Sequence, residues 1–310
     1  MEHFLLNKNT LGISKNRNYG STSNSVDPVK CRFSVKTFIR NHGKNSMDHE
    51  ELLVKEEDGV GTITLNRPER KNAFTLDMID KWIAAIEDWR NNPQVKVIVV
   101  TGAGNAFCSG VDFSSIRSEQ QYGPFEMKSL LWDRIQRIPL TLEDIDKPVI
   151  AAMKGVAVGA GLDMALMCDL RFAADTARFS EAYIKAGLVP GEGGAYYLPR
   201  LVGIAKALEL LWTGDFVDAF EALRIGMVNR IYPEKNLMPE TYNFARRLAG
   251  GPDAVIRTIK RATYQSSRVD LRTALDLISS HMGVIRSTAD SLNAVKATIK
   301  RYGKESDDSD

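Results

Sequence analysis

The strongest constraint on this chain is a repeated pairing of an apolar run with a glycine-rich segment. Val95–Thr101, with its wholly apolar centre Val97–Val100, leads into Gly102-Ala-Gly-Asn-Ala-Phe-Cys-Ser-Gly110-Val-Asp112. Pro148–Met153 leads into Gly155-Val-Ala-Val-Gly159-Ala-Gly161-Leu-Asp163, and Gly187-Leu-Val-Pro-Gly191-Glu-Gly193-Gly194 is a third such segment. Glycine lets backbones approach closely and leaves amide N–H groups exposed. In open parallel sheets, ligands bind in the loops beyond the carboxyl ends of the strands. Two such loops side by side can aim two amides at one oxygen, the geometry of an oxyanion hole.

The rest of the pattern fits that architecture. Glu51–Glu56 and Val60–Leu65 read as two strands around an Asp58-Gly59 turn. Thr75–Arg90 carries Met78, Ile79, Trp82, Ile83, Ile86 and Trp89 at helical spacing, with Thr75 as its cap. Leu170–Ala174 is a further strand, and helices are expected near Ser129–Ile138, Gly161–Cys168 and Ala205–Leu211. This alternation implies a largely parallel sheet covered by helices. After residue 234 strand signals stop, and Leu237–Leu248, Asp253–Tyr264, Leu271–Ile285 and Leu292–Arg301 all read as helices. The chain is therefore α/β over 47–234 and helical over 235–303, with an acidic tail at 304–310.

Charge is unevenly placed. Residues 1–46 hold eight basic and two acidic residues, leaving 33 basic and 37 acidic residues in 47–310. The mildly acidic body argues against a nucleic-acid partner. The leader is rich in Asn, Ser and Lys and reads as disordered. Two readings fit it: a plain tail or start-site artefact, with Met47 as the first residue and a cytoplasmic protein, or an organelle transit peptide and a mitochondrial one. No apolar run reaches the ~18 residues of a spanning helix, so no membrane partner is expected. Cys31, Cys108 and Cys168 form neither a disulfide framework nor a metal-site pattern.

Several chemistries are disfavoured. The four histidines, His3, His42, His49 and His281, all lie away in sequence from the glycine segments. Ser-His-Asp or Cys-His catalysis and a His-rich zinc site are therefore unexpected. The dinucleotide fingerprint fails because Phe107 stands where its third glycine would be, and no Gly-Lys-Ser/Thr follows for a P-loop.

Taken together, Thr64-Leu-Asn-Arg-Pro68, Ala106-Phe-Cys-Ser-Gly-Val-Asp112, Ala151 through Asp169, Gly187-Leu-Val-Pro-Gly191 and Gly226 through Pro233 resemble the enoyl-CoA hydratase/isomerase (crotonase) superfamily over roughly residues 50–302. The resemblance implies a crotonase-like β-β-α spiral core with a helical C-terminal region. It implies an acyl-CoA thioester as substrate, so that coenzyme A belongs to the substrate and no separate cofactor or metal is needed. Carried over by position, the oxyanion amides fall on Ser109 and Ala160, with Gly110, Val111 and Asp112 in the same loop. Arg70 and Lys71 fall where relatives meet the CoA adenine and phosphates. Trimers or dimers of trimers are the family's usual state, in which Lys296, Lys300 and Arg301 could reach a CoA phosphate across an interface.

The chain also departs from the hydratase pattern. The first catalytic glutamate is replaced by Asp163, and the second falls at Tyr183. Glu181 lies two residues away from Tyr183, but the alignment does not place it in the site. Glu192 offers a carboxyl in the third glycine segment instead. Asp163 and Glu192 are the expected acid/base pair, with Tyr183 facing the substrate. The plainer alternatives are that Asp163 caps its helix, Glu192 is solvated on a loop and Tyr183 only packs. Leu131 and Trp132 line either the acyl pocket or the core. Hydration of a 2-enoyl-CoA is the leading expectation, then double-bond isomerisation, then C–C or thioester hydrolysis; a non-catalytic acyl-CoA-binding protein is the reading from another class.

Overall fold

The computed structural model describes residues 50–112 and 122–307, with side chains to residue 300. The leader 1–46 and the end of the acidic tail lie outside the described residues.

The described residues open with an antiparallel hairpin of β1 (Leu52–Glu57) and β2 (Val60–Leu65). Asp58 and Gly59 both adopt positive φ, the primed turn that matches strand twist. Helix α1 (Leu76–Asn91) follows, its first turn held by the Thr75 side chain accepting from the Met78 N–H. Its apolar stripe, from Met78 to Trp89, is buried as the spacing predicts. Next come β3 (Val97–Gly102), α2 (Pro124–Leu130), α3 (Arg137–Glu143), β4 (Val149–Met153), β5 (Val156–Val158), α4 (Ala160–Leu166), β6 (Leu170–Ala174), β7 (Arg178–Ser180), α5 (Gly194–Val202), α6 (Ile204–Thr213), β8 (Val217–Asp218), α7 (Ala219–Arg224) and β9 (Arg230–Tyr232).

The main sheet runs β1-β2-β3-β4-β6-β9 and is parallel from β2 onward. Its central strands β3 and β4 are buried throughout, which is why they read as continuous apolar runs. A smaller sheet, β5-β7-β8, leans across the carboxyl end of β4 through the turn at Gly155. This second layer escapes sequence reading because its strands are two or three residues long. The single helix expected at Ser129–Ile138 is instead broken: a π-helical turn, Leu131–Ile135, separates α2 from α3. Such turns widen a helix locally and re-aim its side chains.

The remaining elements are α8 (Glu234–Ala249), α9 (Asp253–Ser266), α10 (Leu271–Arg286) and α11 (Ala289–Asp307). Helix α8 packs on the sheet, with Phe244 edge-on to Phe172 and Tyr242 Oη 3.1 Å from Thr62 Oγ1. Helices α9 to α11 carry exposed apolar residues, among them Ile259, Leu275, Ile278, Met282 and Val295. Helix α11 continues through the first residues of the expected tail. No helix among the described residues is long and apolar enough to cross a membrane.

Candidate active site

The first two glycine segments meet at the carboxyl ends of β3 and β4. Contact between them is close enough that a Cβ on Gly161 would lie 2.3 Å from the Cys108 carbonyl oxygen. The turn 67–74 is stitched to the loop 103–112 by buried Asn72, whose Nδ2 donates to the carbonyls of Ala103 and Ala106 at 2.9 and 2.8 Å. Arg67 completes the frame, pairing with Glu51 at 3.0 Å and Asp112 at 2.8 Å.

This stitching corrects two expectations. The Ser109 N–H, expected as an oxyanion donor, already donates to the Lys71 carbonyl at 3.0 Å. Asp112, expected to meet substrate, is buried and turned toward Arg67. Val111 is the residue whose amide the loop leaves available. It bridges Phe74 in parallel register, with Phe74 N–H bonded to the Gly110 carbonyl and Asp112 N–H to the Phe74 carbonyl. The N–H of Val111 itself therefore points the other way and has no acceptor among the described residues. The Ala160 N–H, first of α4, likewise has none, as expected of a helix's leading amides. The two loops adjoin here, a Cβ on Gly110 lying 3.7 Å from the Ala160 nitrogen.

A cavity of about 430 Å³ opens at this point. Ser109, Gly110, Val111 and Ala160 line one side, Tyr183 and Glu192 another. Leu130, Leu131 and Ile135 from the π-helical turn and the end of α2 supply an apolar wall. The size and the lining, mostly apolar with a few convergent polar groups, suit a small-molecule site. Trp132 faces a separate groove on the far side of Glu192. Arg70 and Lys71 are exposed on the turn next to Ser109, whose Oγ donates to the Arg70 carbonyl.

Beside the cavity lies a chain of acids. Asp163 sits in the first turn of α4 and is fully buried. It does not cap that helix, since its N-cap is Gly159. Tyr183 Oη lies 2.7 Å from Asp163 Oδ2 and is also in hydrogen-bond contact with Glu192 Oε2. Glu192 is buried, 3 % exposed, and so is not a solvated loop carboxylate. Gly194 opens α5 directly over Asp163: a Cβ there would stand 2.3 Å from Asp163 Oδ1. Burial pushes the Asp163 carboxyl up to about 6, with the Tyr183 hydroxyl and the Gly194 and Glu192 amides pulling it back. Burial likewise pushes Glu192 up to about 7, and the Tyr183 phenol far above its usual range.

One phenolic proton cannot fill two oxygen–oxygen contacts, so one of the two carboxyls must carry a proton. Tyr183 thus links a carboxyl that carries a proton to one that can accept it. Glu181, which the alignment leaves outside the site, does not line the cavity but lies behind it. It is buried, 1 % exposed, and its carboxyl faces that of Asp163. Its two-residue spacing from Tyr183 was the available signal.

Among the described residues no group of His, Cys, Asp and Glu could hold a metal. His281 lies on α10, with Nε2 2.8 Å from Gln265 Oε1. Cys108 and Cys168 are buried, their thiols pushed up to about 12.

The comparisons with known proteins bear on the family and the fold. A family profile described as "Enoyl-CoA hydratase/isomerase" matches residues 55–302. The chain is 30% identical over 256 residues to a crotonyl-CoA hydratase of Syntrophomonas wolfei, covering 82% of this chain and 97% of that one. It is 34% identical over 254 residues to a 1,2-epoxyphenylacetyl-CoA isomerase of Escherichia coli, covering 81% and 96%. The crystal structure of an enoyl-CoA hydratase of Mycobacterium smegmatis superposes with a TM-score of 0.77 at 30% identity, covering 82% and 97%. With its crotonase fold, this chain belongs to the enoyl-CoA hydratase/isomerase family.

Proposed function

We propose that the protein adds water across the double bond of a 2-enoyl-CoA ester. The observation that carries this reading is Glu192 at the edge of an apolar cavity, joined through Tyr183 to the buried carboxyl of Asp163 behind it. The N–H groups of Val111 and Ala160 receive the thioester oxygen and stabilise the enolate that forms when water attacks the β-carbon. The ionised carboxyl takes the water's proton, and the protonated one delivers a proton to the α-carbon. Proton transfer by positioned groups contributes typically 10²–10⁴ in rate, and an oxyanion donor about 10²–10³. Turnover leaves acid and base exchanged, and the Tyr183 hydroxyl offers the path that resets them. Arg70 and Lys71 supply positive charge for the CoA phosphates. The thioester itself acidifies the α-carbon, so the reading requires no resident cofactor.

A second reading, movement of the double bond, has one observation in its favour. Tyr183 occupies the space between the two carboxyls where an attacking water would be held. The test is turnover of crotonyl-CoA and longer 2-enoyl-CoA esters, followed by loss of the conjugated thioester absorbance and by product mass. A product one water heavier supports hydration. No loss at any chain length, with 3-enoyl-CoA converted to its conjugated isomer of unchanged mass, overturns it in favour of isomerisation. The exposed apolar residues of α9 to α11 support assembly into trimers or dimers of trimers, which sedimentation would measure.

A further inference from the structure

Glu181 takes no part in the reaction proposed above, yet it is among the most thoroughly buried acids in the molecule. Neither of its oxygens has a hydrogen-bond donor among the described residues, and Asp163 Oδ1, equally buried, has none either. The two carboxyls face each other within hydrogen-bonding reach. The titratable groups that bear on Glu181 are Asp163 from α4 and Glu192 from the loop before α5, both acidic. No cation among the described residues offsets them. An unpaired buried charge is costly, and two touching carboxylates cannot both ionise. A single proton held between Glu181 and Asp163 gives Oδ1 a donor and removes the charge from Glu181 at once.

We infer that Glu181 is a positioning residue: a carboxylic acid that stays protonated, donates to Asp163 Oδ1 and so turns Asp163, Tyr183 and Glu192 into a reversible proton relay. The inference rests on the reading of Asp163 and Glu192 as the acid/base pair. Glu181–Asp163, Asp163–Tyr183 and Tyr183–Glu192 are three oxygen–oxygen contacts, and each holds one proton. Four groups thus share three protons and one negative charge.

With the charge on Asp163, Glu181 and Tyr183 both donate to it, and protonated Glu192 donates to Tyr183. With the charge on Glu192, Tyr183 donates to Glu192, Asp163 donates to Tyr183, and Glu181 still donates to Asp163. The two arrangements differ by two proton hops through one phenol, and Glu181 keeps its proton in both. Without that third acid, the charged form of Asp163 loses one of the groups that favour it, with Tyr183 and the Gly194 and Glu192 amides remaining. The relay then rests with its charge on Glu192.

The test compares Glu181→Gln and Glu181→Ala in the full chain, with thermal melting as the check on folding. If the alanine variant does not fold, Glu181→Leu fills the space in its place. The first readout is the infrared carbonyl stretch of protonated carboxyl groups in the protein without substrate, at mildly alkaline pH. Wild type should show such a band from Glu181 and from the protonated member of the Asp163/Glu192 pair, and Glu181→Gln should lose the Glu181 share of it. The second is the pH dependence of kcat/KM on whichever enoyl-CoA ester is turned over. Glutamine still donates an N–H to Asp163, so its acidic limb should stay at the wild-type position. The apolar variant should move that limb upward by on the order of one pH unit, with kcat lowered and KM little changed.

An unchanged infrared band in Glu181→Gln would mean that Glu181 is ionised and would overturn the inference. So would a downward shift of the acidic limb in that variant, the signature of relieved repulsion. A wild-type profile in both variants would reduce Glu181 to a space-filling residue and overturn it equally. The infrared arm needs no turnover, so an inactive protein would refute the hydratase reading separately while the proton on Glu181 was still decided.

Discussion

Replacing Tyr183 by phenylalanine removes one oxygen and leaves the ring that lines the cavity. That oxygen touches Asp163 Oδ2 at 2.7 Å and Glu192 Oε2. Only one of the two carboxyls is charged at a time: a hydrogen bond to a charged group is worth about 1.5–3 kcal/mol and a neutral one about 0.5–1.5 kcal/mol, so the two together amount to about 2–4.5 kcal/mol. If the proton path between acid and base runs through this hydroxyl, the loss falls on the transition state. A drop of 10²–10⁴ in kcat corresponds to about 3–5 kcal/mol, in the same range as the two bonds. KM should change less than a few-fold, because the ring remains. The Tyr183 hydroxyl also holds both carboxyls below where burial alone would put them. Its removal should therefore move the acidic limb of the kcat/KM profile to higher pH. The assay is hydration of crotonyl-CoA across pH, with melting to confirm the fold. A variant with kcat within about threefold of wild type and an unmoved pH profile would refute the role assigned to Tyr183.

Asp163→Asn should trade activity for stability. The folded chain holds protons on Asp163 up to about 6 and on Glu192 up to about 7, whereas the ordinary values are 3.8 and 4.5. Between those limits the folded state binds more protons than the unfolded one, so these two groups make stability fall as pH rises from about 4 to about 7, and Glu181, raised well above the usual carboxylate range by burial, extends the fall to higher pH. The amide cannot titrate, so the substitution removes one of the two contributions; the variant should melt higher than wild type above neutral pH and show no turnover, and a lower melting temperature there would refute the argument. Gly194→Ala should be inactive and less stable by about 1–3 kcal/mol, since its Cβ would stand 2.3 Å from Asp163 Oδ1; normal activity in denaturant-resistant protein would show that α5 can move aside. Arg67→Met should cost about 1.5–3 kcal/mol in denaturant unfolding by removing the charged hydrogen bond to buried Asp112; a loss below about 1 kcal/mol would show that the pair is not what holds the 109–112 loop.

The order of strands and helices was legible because burial on both faces leaves β3 and β4 as unbroken apolar runs, and because α1 writes its buried stripe at helical spacing. The family followed from motifs that pack against one another. What sequence reading missed was set by contact between distant segments. Ser109 loses its amide to Lys71, thirty-eight positions earlier in the chain, and the register of the bridge to Phe74 leaves the Val111 amide without an acceptor among the described residues. Asp112 looks like a free loop acid until Arg67 is seen beside it. Glu181 looks misplaced in an extended segment until α4 brings Asp163 against it. The residue types present, their glycine spacing and the carboxyls at 163 and 192 were determined by the sequence. Which amides stay unbonded and which acids share protons was decided only by the tertiary structure, because hydrogen bonds and burial depend on which groups come within a few ångströms, not on their order along the chain.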